Sequence, residues 1–374
     1  MSEFFATVAR GLESLAAREL SQLGAAKIES DFCGVRFEGD RRLLYRVNLW
    51  ARLPFRILQV IDRFACPDAD RLYAGIQSVD WSAYLTPACT LAVDATGRSR
   101  ALNHSHYTAL QVKNAIVDRQ RQQFGDRSSV DVDRPDVRIN VHIYRDRCTL
   151  SLDSSGTSLH RRGYRPAIGK APLKETLAAA LLDLSNWTPE LPFLDPLCGS
   201  GTLPLEAAIE GLNIAPGSFR DRFGFQSWPD FDRPLWKALC AEAAASRLPG
   251  LKAPIAGSDR DRDVLDRARA NARASQLDRY IHFACTDLAN LDPPADCGVI
   301  VCNPPYGERI GDRRQLGEFY KLLGNVLKQR FKGWTAHILS GNKDLAQSIG
   351  LKSSRRTPIS NGAIACQLLE YELY

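Results

Sequence analysis

The spacing of hydrophobic and polar positions changes character along the chain, and the changes mark out its parts. Over residues 1–55, Phe4–Val8 reads as a short strand, and Leu12, Leu15, Ala16 and Leu20 recur at helical spacing up to Gly24. Ile28 and Cys33–Phe37 read as strands and residues 40–51 as a second helix. Strand, helix, strand, strand and helix in so short a span predict a small ferredoxin-like α+β unit. Residues 56–158 predict a second α+β unit. There Thr90–Thr96 alternates as a strand, Tyr107–Phe124 is a helix closed by Gly125, and Val137–Tyr144 turns at Arg145–Arg147 into a strand over Cys148–Leu152.

Beyond a basic connector at 159–171 the period changes again. From residue 172 to 374 helices alternate with apolar strands, which predicts an α/β, Rossmann-like doubly wound sheet. Pro172 is expected in the first turn of a helix running to Leu184. Strands are predicted at Phe193–Asp195, Ile255–Gly257, Ile281–Cys285, Val299–Cys302, Ala336–Leu339 and within Ala363–Tyr371. Helices over Thr202–Glu210, Asp261–Ser275 and Leu316–Arg330 fall between them. Residues 212–250 interrupt the winding with Phe219, Phe223, Phe225, Trp228, Phe231 and Trp236. A small core of their own is the plainer expectation for these rings, and a lid over a pocket the sharper one.

Composition narrows the class. The 374 residues are 44% hydrophobic and 25% charged, with no apolar run of membrane-spanning length. The N-terminus carries Glu3 early and lacks the apolar stretch of a signal peptide, so a cytoplasmic location is expected. Ten cysteines contain no Cys-x-x-Cys pair, and the six histidines complete no zinc pattern. Free thiols and no metal are therefore expected, with Cys148, Cys285, Cys302 and Cys366 in strand-like core positions.

Net charge is +6 and unevenly spread: residues 1–165 carry 24 Lys and Arg against 19 Asp and Glu, and residues 166–374 carry 25 against 24. If either half faces a polyanion, it is the first. Arg98, Arg100, His104, His106, Lys113, Arg119 and Arg121 gather around the helix of the second unit. Such a cluster is an ordinary solvated helix face or a phosphate-contacting face for nucleic acid. The connector, with Arg161, Arg162, Tyr164 and Arg165, has the same two readings.

Two stretches carry chemistry. Asp195-Pro196-Leu197-Cys198-Gly199-Ser200-Gly201-Thr202 follows a predicted strand and opens a helix, where glycines admit a ligand to the backbone and to free N–H groups. It is not a dinucleotide fingerprint, because Pro204 stands in place of the third glycine. The next two strands end in Asp259 and Asp287, each able to meet a nucleoside and each equally suited to cap a helix. The fourth ends in Asn303-Pro304-Pro305-Tyr306, a broken strand whose amide, proline carbonyl and aromatic ring suit a planar amine, though the same residues make an ordinary turn.

This series of strand ends resembles the class I S-adenosylmethionine-dependent methyltransferases. More narrowly, a THUMP-like RNA-binding unit, Leu159–Arg165, Ala171–Ala178, Asp195–Thr202 and Asn303–Arg309 together resemble the bacterial 23S rRNA guanine-N2 methyltransferase family over essentially the whole chain. The resemblance implies S-adenosylmethionine at Thr176, Asp195, Pro196, Cys198, Gly199, Ser200, Gly201, Thr202, Asp259, Asp287 and Asn303. It implies a catalytic set of Asn303, Pro304, Pro305 and Tyr306. RNA contacts are expected from Arg98, Arg100, His104, Lys113, Arg161, Arg162, Tyr164 and Arg165, with 23S rRNA or a large-subunit assembly intermediate as partner. Some relatives carry a second fused methyltransferase domain that this chain lacks, so one activity is expected.

On this reading a flipped guanine stacks on Tyr306 while Asn303 and the Pro304 carbonyl accept its N2 hydrogens. Glu308 is a further candidate for proton removal. Adenine N6 or another planar nitrogen is an alternative target, and a non-catalytic rRNA-binding assembly factor is the alternative of another class. Residues 160–374 alone are expected to bind cofactor without capturing RNA.

Overall fold

A computed structural model describes residues 1–165, 173–307 and 313–374. The first part builds one sheet from both N-terminal units. Its elements are β1 (Ser2–Thr7), α1 (Glu13–Gln22), β2 (Ala26–Asp31), β3 (Gly34–Gly39), α2 (Arg41–Trp50), β4 (Arg56–Ala65), α3 (Ala69–Ser78), β5 (Thr90–Arg98), α4 (Ser105–Phe124), β6 (Ser129–Val130), β7 (Val137–Tyr144) and β8 (Arg147–Asp153). The strand order β2-β3-β1-β4-β8-β7-β5-β6 runs continuously through them. β4, which has no predicted counterpart, is the seam: Phe4–Thr7 pair with Arg56–Gln59 and β8 with Leu58–Ala65. Arg145 and Asp146 both adopt positive φ, the two-residue turn that suits the twist of the β7–β8 hairpin.

The second part comprises α5 (Glu175–Leu184), β9 (Phe193–Asp195), α6 (Thr202–Gly211), α7 (Arg233–Ala245), β10 (Ile255–Asp259), α8 (Arg262–Ala274), β11 (Ile281–Cys285), β12 (Gly298–Cys302), α9 (Arg313–Arg330), β13 (Trp334–Ser340), α10 (Lys343–Ser348), β14 (Arg355–Asn361) and β15 (Ile364–Glu372). Its sheet runs β11-β10-β9-β12-β13-β15-β14, parallel from β11 to β13 and closed by antiparallel β15 and β14. Strand order reverses between β9 and β12, so a crevice opens at their carboxyl ends. β14 escapes sequence reading because it is an edge strand, mostly polar and interrupted by Pro358. The predicted helix start at Pro172 lies outside the described residues, and the helix itself begins at Glu175.

α5 and α6 show why the two parts behave as one body. Leu177–Leu182 and Thr202–Ile209 are buried on every side, unlike a surface helix with one apolar stripe. The seven-stranded sheet covers one face and the first unit the other, and a single hydrophobic cluster runs from Phe4, Leu44 and Val47 to Leu177, Leu203 and Ala207. A second cluster, with Ile300, Tyr320, Phe331 and Trp334, fills the opposite face of the sheet.

The 212–250 insertion is neither a separate core nor a lid. Phe225 stacks on Tyr45 of α2 with ring centroids 4.4 Å apart, and the Tyr45 hydroxyl accepts the Asp232 N–H at 3.0 Å. Arg220 donates to the carbonyls of Ser155, Thr157, Ser158 and Arg161. The insertion therefore clamps the N-terminal sheet to the second part. All ten cysteines are free. Cys285, expected in the core, is exposed on β11, the edge strand.

Candidate active site

The glycine loop leaves β9 at the point of strand reversal and is tied to its neighbours through backbone. The Cys198 N–H bonds the Ser258 carbonyl at 2.8 Å, and the Gly199 N–H bonds Asp259 Oδ2 at 3.0 Å. Gly201, at φ +83°, caps α6 where a Cβ would stand 3.1 Å from Ala268 and 3.2 Å from Phe283, so glycine is demanded by both conformation and packing. Asp259 thus spends one oxygen on the loop and the other on the Asp261 N–H at 2.9 Å. Asp287 is exposed and caps the short turn that follows by accepting the Ala289 N–H.

Three features of this loop fit a ligand with a cationic centre and polar ends. Asp195 is buried and accepts the Leu197 N–H at 3.1 Å; burial and the Asp259 charge hold its carboxyl well above the usual range, and no ion pair holds it among the described residues. The Thr176 hydroxyl, at the start of α5, is buried without a hydrogen-bond partner among the described residues. Space over the Gly199 Cα is open to 4 Å, and the first turn of α6 presents backbone N–H groups that have no partner within the helix. These residues suit S-adenosylmethionine, whose sulfonium is a cation and whose amino-acid and ribose ends need polar partners.

At the β12 end, Asn303 is half-buried, Pro304 buried and Pro305 exposed. The Tyr306 hydroxyl donates to Asn303 Oδ1, a contact that sequence reading missed because nothing in the order of residues signals it. The Tyr306 ring lies against Gly341 at the end of β13, where a Cβ would sit 3.0 Å from it, and burial raises its phenol pKa. The Tyr320 hydroxyl donates to the Pro305 carbonyl at 3.2 Å and anchors the turn from below. The turn and the glycine loop follow neighbouring parallel strands, β12 and β9. Glu308 and Arg309 lie outside the described residues.

The expected RNA contacts separate into two groups. Arg98, Arg100, His104 and Arg161 are exposed and Lys113 half-buried. Arg121 and Arg138 are held by Asp118 and Asp94, whereas no ion pair holds Arg98, Arg100, Lys113 or Arg119 among the described residues. Tyr107, 46% exposed beside His104 and His106, adds an aromatic ring to this face. Its place one turn into α4 among cations is the signal that would have found it.

Arg162, Tyr164 and Arg165 contradict the expectation. They are buried, at 2%, 2% and 9% exposure, and do not face a polyanion. Arg162 bonds the Leu159 and Arg52 carbonyls at 3.0 and 2.7 Å and pairs with Glu206 at 3.4 Å, while the Tyr164 hydroxyl donates to Glu206 at 2.7 Å. Arg165 bonds the Leu173 carbonyl and Ser200 Oγ and pairs with Glu175. Their charge is consumed inside the molecule because acidic partners on α5 and α6 meet it there. Among the described residues no helix is long and apolar enough to cross a membrane, and no group of three or more His, Cys, Asp or Glu converges on a metal position.

Three family models match successive parts of the chain. Residues 3–58 match the RlmL ferredoxin-like domain, 66–153 the THUMP domain, and 162–370 the RMKL-like methyltransferase domain. A Synechocystis protein that carries an RNA methyltransferase name is 56% identical over 371 residues, covering 99% of this chain and 97% of that one. The ribosomal RNA large subunit methyltransferase K/L of Syntrophotalea carbinolica is 44% identical over 99% of this chain, which spans about half (53%) of its length. Among solved structures, SMU.472 complexed with SAH superposes with a TM-score of 0.90 at 31% identity, covering 100% of this chain and 98% of that one.

Proposed function

This chain belongs to the RMKL-like methyltransferase family, and on that premise we propose that it transfers a methyl group from S-adenosylmethionine to the exocyclic N2 of a guanine in 23S rRNA. The observation that carries the reading is the side-by-side pairing of β9 and β12 at the reversal of strand order, since the glycine loop follows one strand end and the Asn303–Tyr306 turn the other.

Bound S-adenosylmethionine supplies an electrophilic methyl group on a sulfonium. Thr176, the Pro196–Thr202 loop and Asp259 would hold its ends, Asp287 would meet the adenine, and the buried Asp195 carboxyl would be drawn toward its charged form by the cation. Asn303 Oδ1 and the Pro304 carbonyl accept the two hydrogens of the amine, which turns its lone pair toward the methyl carbon. Tyr306 takes the face of the base, and its hydroxyl keeps the Asn303 amide oriented. A carbonyl oxygen has two lone pairs, so Asn303 serves the tyrosine and the amine together. Transfer to the amine would break the methyl–sulfur bond of the donor, which would keep that electron pair, and would release one amine proton to solvent. Rate comes from placement rather than from a strong base.

RNA is captured by Arg98, Arg100, His104, Tyr107 and Lys113 around α4, and the exposed Arg161 of the connector is a further contact; 23S rRNA or a large-subunit assembly intermediate is the partner that fits. Asn303→Ala tests the reading. Methyl transfer to 23S rRNA should fall by about 100-fold or more, while calorimetric binding of S-adenosylmethionine persists. Retained turnover would remove Asn303 from its role. Nucleoside mass spectrometry of the product identifies the base, since N6-methyladenosine in place of N2-methylguanosine would transfer the same geometry to adenine.

A further inference from the structure

We propose that Arg165 is a positioning residue for the cofactor, bracing the glycine loop through Ser200 from the connector that precedes α5; this rests on the reading that the loop holds S-adenosylmethionine. The loop is secured on one side by the Cys198 and Gly199 backbone bonds to β10. Its other side, Ser200, has a carbonyl that accepts from Asn271 Nδ2 at 3.1 Å and a hydroxyl that accepts from Arg165 Nη2 at 3.2 Å. Ser200 and Arg165 are both buried, so water does not stand in for that contact.

The guanidinium is itself fixed. Nη1 bonds the Leu173 carbonyl at 3.0 Å and Glu175 at 3.1 Å, on the turn that leads into Thr176. One planar fork therefore sets the spacing between the start of α5 and the loop before α6, the two segments that line the cofactor crevice. A lysine carries the same charge but is a single point on a flexible stem and cannot hold three acceptors at fixed angles. The fork is anchored from behind by the same connector. Three residues earlier Arg162 reaches the Arg52 carbonyl of the first unit, and both Arg162 and Tyr164 hold Glu206, one turn into α6. Arg52 pairs with Glu210 one turn further along. The part of the chain that faces RNA thereby grips the helix whose first turn is the cofactor loop.

The test uses the full chain, S-adenosylhomocysteine as calorimetric probe, and the variants Arg165→Lys, Ser200→Ala and their combination. Each single variant should weaken the probe about 10-fold and raise KM for S-adenosylmethionine more than it lowers kcat. RNA affinity and the unfolding midpoint of Ser200→Ala should stay near those of the parent. Because both changes remove one contact, the double variant should bind the probe no more weakly than the poorer single variant. Parent-like affinity in a folded Ser200→Ala protein, or losses that simply add, would overturn the proposal even if Arg165→Lys fails to fold. A parent chain that binds no probe at all would overturn the cofactor reading beneath it.

Discussion

Two stretches look equally ready for a ligand in the sequence, the strand ends Asp195–Thr202 and Asn303–Tyr306 and the basic connector Arg161–Arg165, yet the fold treats them oppositely. The strand ends stay beside the reversal of strand order, where among the described residues the buried Asp195 has only the Leu197 N–H as hydrogen-bond partner and the Thr176 hydroxyl has none. Of the connector, Arg162, Tyr164 and Arg165 are drawn inside, and nearly every donor of Arg162 is spent on Arg52, Leu159 and Glu206. Charge does not decide exposure. Whether partners of opposite sign are waiting at the same depth does.

The contrast is sharpest where a buried pair is broken. Glu206→Leu leaves the Arg162 guanidinium and the Tyr164 hydroxyl inside without their acceptor, and should cost about 3–5 kcal/mol of stability in urea titrations. A cost below about 1 kcal/mol would mean that the connector is solvated after all. Next in size is the glycine loop. Gly201→Ala forces a left-handed residue against Ala268 and Phe283 and should destabilise the chain by about 2 kcal/mol. Gly199→Ala, whose Cβ enters open space, should cost only about 1 kcal/mol yet weaken cofactor binding in calorimetry. If the two variants lose stability and affinity in equal proportion, the space over Gly199 is not the cofactor's. The smallest effect belongs to the exposed cations. Arg98→Ala should leave stability within about 0.5 kcal/mol of the parent and lower the slope of RNA affinity against salt by about one unit, read from binding titrations at several ionic strengths.

These comparisons require the intact chain. A cut at residue 160 would strip α2 and residues 153–159 from Phe225, Trp236 and Arg220, exposing apolar rings and leaving the Arg220 guanidinium without most of its carbonyls. Point substitutions therefore replace the truncation that the sequence suggested.

Much of the architecture is legible in the sequence where local physics governs. Helix α4 ends at Gly125 because that residue takes φ +70°, and α8 starts after Asp261, whose side chain accepts the Asp263 and Val264 N–H groups. β14 and β4 were illegible for a different reason. β14 is a polar edge with few buried positions, and β4 is shared between two partners so that its burial follows no clean alternation. The Tyr306 hydroxyl bond to Asn303 and the Arg165 bond to Ser200 are contacts of side chains, and only packing brings them about.

By itself the sequence determined the strand ends and what they offer: a glycine loop before a helix, carboxylates after the next two strands, and an amide, two prolines and a tyrosine after the fourth. These depend on residues within a few positions of one another. Tertiary structure decided which charges reach a ligand. Arg162 finds Arg52 110 residues away and Glu206 44 residues away, and Arg165 finds Ser200 35 residues away. Burial of a cation is settled by partners that distant segments bring to it, and no local pattern records their arrival.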